Sequence, residues 1–306
     1  MRLLSALLAL LVTSAGCAVN DGVVHEMGSS LPKPDLHRPA VAGAQEGLEL
    51  RIWAIEDQDR LIAELLSAYE DRPTPMLDSE RSAWRASGIR PISVPIDELN
   101  LARGRMRLIA PEERQWFGQM PGWTETVPGR RVASGDSLRL ADGVLRVPAG
   151  RLRMLTRCWT IPETEGPVLQ IELAVELEPF GRPETIVERA MGSDRASGTG
   201  GVLFPELSAR FTMDPGEALV LVPVGPGFDA EAVLEEDDPG RDEMEVGPPI
   251  PATPTVGEAM LTSVELGGVM PVRRRALVVL LPRLPSEFRL LSLNKHRSGA
   301  AGNGVH

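Results

Sequence analysis

Two neighbouring segments, "RLRMLTRCW" at 151–159 and "VLQIELAVELE" at 168–178, constrain the fold of this chain more than any other feature. In the first, Arg151, Arg153 and Arg157 share one parity, and Leu152, Met154 and Cys158 share the other. In the second, Glu172, Glu176 and Glu178 alternate with Leu169, Ile171, Leu173, Val175 and Leu177. Side chains on a strand point to opposite faces in turn, so each segment reads as a strand with one charged and one apolar face. The link "TIPETEGP" is short enough for antiparallel pairing. A register in which paired residue numbers sum to 329 sets Arg157 against Glu172, Arg153 against Glu176 and Arg151 against Glu178. It also sets Cys158 against Ile171, Met154 against Val175 and Leu152 against Leu177. A slip of one residue would oppose charged and apolar faces, so burial forbids it. A slip of two keeps the faces but loses at least one charge pair, worth roughly 0.2–1 kcal/mol. On this reading the Arg/Glu face is a structural ladder rather than an active site, and Cys158 lies in the core.

From residue 129 onward most other segments also read as strands. They are "SLRLADGVLRV" turning at Asp142-Gly143, "ELSARFTM", "ALVLVPV", "AMLTSVEL" and "RRRALVVLL". Residues 46–128 have a different texture. "GLELRIWAIED", "IRPISV" and "RMRLIA" read as strands, Pro91 marking the second as an edge. "DQDRLIAELLSAYE", "DSERSAWRASG" and "PIDELNLAR" carry helical spacing and caps. Trp53, Trp84, Trp116 and Trp123 fall in this stretch and read as core and lid residues. The fold class is therefore α+β, a small N-terminal α/β module (46–128) followed by a mainly antiparallel β sandwich or partly open barrel (129–292). Residues 229–255, dense in acid and then rich in proline, read as a mobile loop of that module. "GSDRASGTGG" at 192–201 reads as a flexible loop, and residues 293–306 as a disordered tail. Arg273, Arg274 and Arg275 read as a charged strand end that discourages edge pairing.

The missing residues say which chemistry is excluded. The only lysines are Lys33 and Lys295, and the histidines are His25, His37, His296 and His306. From Arg38 to Asn294 neither type occurs. Arginine supplies all basicity there and does not act as a base at neutral pH. No Ser-His-Asp or Cys-His arrangement, P-loop lysine or histidine-containing zinc site can be built within that body. Carboxylate chemistry, oxygen-ligand metals or no chemistry remain. Glu235, Asp237 and Gly240 match part of a calcium-loop frame, but Pro239 and Val246 stand where further ligands are required. No spacing among the 43 acidic residues singles out a catalytic pair, so no catalytic residue, metal ligand or cofactor is expected. A formal net charge of −11 gives no electrostatic reason to bind nucleic acid.

The N-terminus points to a compartment. Arg2 precedes an apolar run, Leu3 to Thr13, that is too short for the roughly 20 residues of a membrane span but has the dimensions of a secretory signal. In "LVTSAGCAVN" the small residues Ser14, Ala15 and Gly16 precede Cys17. This resembles the bacterial lipoprotein signal, with Ser14 standing where that family usually has leucine. The resemblance covers residues 1–17 alone. It implies cleavage of a signal peptide (1–16) and lipidation of Cys17. Ala18 after the cysteine implies the outer membrane of a two-membrane bacterium. Residues 17–45 then read as a flexible tether. Cys158 is left without an intramolecular disulfide partner, so the fold must rest on core burial. The expected function is a non-catalytic, lipid-anchored cell-envelope protein that binds or scaffolds. Its expected partners are the membrane, through the lipid anchor, and other envelope proteins. The alternatives are a carboxylate-based or calcium-assisted hydrolase of envelope polysaccharide, and a subunit of a secretion or pilus assembly.

Overall fold

The alternating segments do pair, and every ladder between them is antiparallel. The computed structural model describes residues 46–163, 166–180, 201–235, 252–265 and 272–284, all within the unit Pro34–His306. The signal, Cys17, the tether, most of 192–201, the middle of the acidic segment and the tail lie outside the described residues. In chain order the elements are β1 (Gly47–Glu56), α1 (Asp59–Tyr69), α2 (Asp78–Ala86), β2 (Ile89–Pro95), α3 (Leu99–Arg105), β3 (Glu113–Gly118), β4 (Met120–Val132), β5 (Ser137–Leu140) and β6 (Gly143–Arg146). They continue with β7 (Gly150–Glu163), β8 (Gly166–Pro179), β9 (Val202–Met213), β10 (Glu217–Pro223), α4 (Ala230–Glu235), α5 (Val256–Leu261), β11 (Thr262–Glu265) and β12 (Val272–Arg283).

Among the described residues three open sheets result. One has the order β2-β10-β12-β1-β3, with β11 beside β12. The second runs β4-β7-β8-β9, and β5 and β6 form the third. The β7–β8 pairing follows the sum of 329 at every position from Gly150↔Pro179 to Glu163↔Gly166. One apolar cluster joins the two larger sheets, with Leu50, Leu219 and Val278 from one and Met154, Ile171 and Val175 from the other. A second cluster covers the opposite face of the β10–β12–β1 sheet, where Trp53, Val220 and Val279 meet Ile62, Leu65 and Leu66 of α1. Burial on both faces explains why β10 and β12 read as continuous apolar runs rather than alternating ones.

β1 brings charge onto the helix-covered face. Arg51 is 1 % exposed and pairs with Glu49 at 2.8 Å and Glu112 at 3.4 Å. Burial pushes the Arg51 guanidinium down to about 10. Paired ions of this kind are tolerated in a core, whereas a lone one is not.

The structure departs from the sequence expectations in several places. The boundary at 128 does not separate the sheets, because β1 and β2 pair with β12 and β10 from the far end of the chain. "RMRLIA" is not a strand. Arg105 ends α3, and only an isolated bridge, Ile55↔Leu108, remains. "AMLTSVEL" is helix before it is strand, since Thr255 caps α5 by accepting the Glu258 amide at 3.1 Å. Arg274 and Arg275 are paired on both sides, to β1 and β11, and so mark no edge. The described ends of 229–255 are ordered: Ala230 is buried, Val233 and Leu234 pack on the α1 cluster, and Thr255 is buried. Residues 113–132, rich in Gly and Pro, form β3 and β4.

Candidate functional site

The edge strands β2, β3, β4 and β9 are blunted. β2 carries Pro91 and Pro95, and β3 carries Glu113 and Arg114. β4 has three register shifts. β9 bulges at Ala174/Val175 around Pro205, and Glu80 of α2 accepts its Arg210 amide at 3.2 Å. Proline, charge and bulges are devices against strand addition.

The described side chains offer an apolar place. Nine large hydrophobic residues are exposed among those described, and five of them (Val144, Leu145, Phe180, Val202 and Leu203) lie at one end of the four-stranded sheet. The register puts them there. The β5–β6 hairpin is spliced between Val132 and Gly150, which pair. Gly150 in turn faces Pro179, and Leu177 faces Val202. The hairpin buries Leu138 and Leu140 beneath it and leaves Val144 58 % and Leu145 42 % exposed. A groove of about 330 Å³ runs between the hairpin and the start of β9, with Leu140, Val144, Val202 and Phe204 on its walls and Asp142 and Glu206 at its rim.

Two polar clefts flank the loop Gly225–Asp229 that leads from β10 into α4. The first, about 360 Å³, holds Asp59, Glu258, Arg273 and Arg275. Its carboxylates are engaged. Arg275 binds Asp59 at 2.6 Å and also Asp57, and Arg273 binds Glu258 at 2.9 Å and Asp57 at 3.1 Å. Asp59 and Glu258 are each held by arginine through one carboxylate oxygen. The second cleft, about 600 Å³, holds Arg81, Arg85, Arg90, Glu70 and Asp71.

The Arg/Glu ladder spans all four strands of its sheet. Arg157 meets Glu172 at 2.6 Å, and Arg153 meets Glu176 at 3.0 Å. Arg151 meets Glu178 and Glu125 of β4, each at 2.8 Å, and Arg210 of β9 approaches Glu172 at 3.6 Å. Burial lowers the Arg153 guanidinium, but Glu176 and Glu178 outweigh it and leave it raised. Arg157 stacks between Trp123 and Trp159, 4.9 and 5.7 Å from their ring centres. Cys158, on the other face, is wholly buried, and burial pushes its thiol up to about 11. Such a thiol is a core residue and not a nucleophile. Trp53 and Trp84 are core residues as well, whereas Trp116 is 39 % exposed.

Of the sites read from sequence, Cys17 and the failed calcium frame beyond Glu235 lie outside the described residues. No group of three or more potential metal ligands occurs among the described residues, and no described helix is long and apolar enough to cross a membrane. The apolar groove and the arginine cleft were missed. Consecutive Val144-Leu145 beside a turn, and Arg81 and Arg85 around Trp84, were the available signals. No family model, curated protein or solved structure matches the chain.

Proposed function

We propose that this is a non-catalytic, lipid-anchored cell-envelope protein that holds another envelope protein against the apolar end of its four-stranded sheet. The anchor is Cys17, and the location is the outer membrane of a two-membrane bacterium. The two large sheets serve as an open sandwich, a rigid platform for that end. The observation that carries the reading is the gathering of Val144, Leu145, Val202 and Leu203 around one groove, with Phe180 exposed at the same end of the sheet. Clustered apolar exposure on a soluble domain marks an interaction surface. Blunted sheet edges argue against a pilus-type role by strand addition.

Mild crosslinking in native membranes followed by purification tests this. A stoichiometric envelope partner is expected with the wild type and lost in a Val144→Asp, Val202→Asp variant that folds normally. Isolation of the wild type alone, or equal capture by the variant, would overturn the reading.

A further inference from the structure

The second polar cleft carries an inference independent of the apolar groove. Trp84 is wholly buried on one side of α2, and Arg81 and Arg85, one turn apart, both line the cleft. Arg90 enters from β2, its guanidinium over the Phe228 ring at 5.9 Å and donating to the Phe228 carbonyl at 2.7 Å. Glu70, just past α1, receives both Arg85 at 3.1 Å and Arg90 at 2.7 Å. Two guanidiniums thus share one carboxylate. Among the described residues Arg81 forms an ion pair with Asp78 alone, whose side chain is 93 % exposed, at 2.9 Å. The Nε atoms of Arg85 and Arg90 are buried and make no hydrogen bond. Burial lowers the Arg85 guanidinium, Glu70 opposes this, and the like charges of Arg81 and Arg90 lower it further.

We infer that this cleft binds a small amino-acid or peptide ligand, its carboxylate held by Arg81, Arg85 and Arg90 and its ammonium by the acidic rim. Guanidinium forks match a carboxylate in two-point fashion. A monoanion is the better match, because the exposed Asp71, Asp229 and Glu231 also line the cleft and repel a second negative charge. The same three acids lie beside an amine attached to the ligand. At about 600 Å³ the cleft has room for more than a single carboxylate group, in the size class of small-molecule sites.

Arginine-selective 15N NMR of the mature protein tests this through the Nε–Hε signals of Arg85 and Arg90, assigned with Arg85→Lys and Arg90→Lys. The probes are alanine, glycylalanine, acetate and inorganic phosphate. Alanine or glycylalanine should shift both signals at concentrations at least about fivefold below acetate, with phosphate weakest. The tighter of the first two tells a free amino acid from a peptide. Arg81→Gln, at a partly exposed position, should keep the fold and weaken binding about tenfold. Phosphate binding as tightly as alanine, no shift with any probe, or shifts unchanged in Arg81→Gln would overturn the inference.

Discussion

Glu176→Gln should destabilise the protein far more than the same change at Glu178, although both residues are rungs of one ladder. Glu176 is wholly buried, and its carboxylate accepts from Arg153 Nε at 3.1 Å and Nη2 at 3.0 Å and from the Gly201 amide. Glutamine keeps the shape but removes the charge and turns one acceptor into a donor facing Arg153. Removing one partner of a buried ion pair costs about 3–5 kcal/mol. Arg153 retains Glu125 at 3.3 Å and Glu178 at 3.4 Å, which places the cost near the lower figure, about 3 kcal/mol. The Glu178 side chain is 37 % exposed, and a pair screened by solvent is worth about 1 kcal/mol or less. Urea unfolding followed by tryptophan fluorescence reads the difference. With a slope of about 3 kcal/mol per molar, Glu176→Gln should lower the midpoint by about 1 M and Glu178→Gln by no more than about 0.3 M. An Arg153→Met, Glu176→Leu double variant should recover most of the loss, because it leaves no buried charge unpaired. Equal midpoints for the two glutamine variants, or a double variant as weak as Glu176→Gln, would refute the buried-ladder reasoning.

Cys158 has its thiol raised from 9.0 to about 11, so the neutral form is the folded one. Its contribution is complete below pH 9 and is lost as pH rises through 11, up to about 3 kcal/mol at about 1.4 kcal/mol per unit. Cys158→Ala should flatten stability over that window, and an unchanged pH profile would contradict the burial. Thr255→Ala removes the α5 cap and a hydrogen bond to the Val224 carbonyl at 3.1 Å, and calorimetry should show a loss of about 1–2 kcal/mol. Gly88→Ala meets a φ of +82° and would press a Cβ onto Thr255 and the Val224 carbonyl, so it should cost about 2 kcal/mol or more. Mass spectrometry of the native protein should show residues 1–16 removed and acyl mass on Cys17; an unmodified start elsewhere would defeat the anchor.

What the sequence revealed and what it hid divide along physical lines. The β7–β8 register was legible because charge and apolarity alternate there with strict parity, and a slip costs burial on a whole face. Pro91 foretold an edge strand because it cannot donate to a ladder. The pairing of β1 with β12 was not legible, since nothing in "GLELRIWAIE" names a partner more than 200 residues away. β3 and β4 were hidden because Gly118, Pro121, Gly122 and Pro128 interrupt any alternating pattern, and register shifts accompany them. α5 was hidden because Ala259, Met260 and Leu261 suit a buried helix as well as a strand, and only the Thr255 cap decides. The clefts depend on contacts between elements distant in sequence, such as Arg90 of β2 with Phe228, 138 residues away.

A photo-crosslinking residue placed at Leu145 in cells, with a second placed at Gln115 on the exposed β3 edge as control, tests the proposed role most directly. One discrete adduct with another envelope protein is expected from position 145 and none from position 115. No adduct from 145, or the same adducts from both positions, would contradict it.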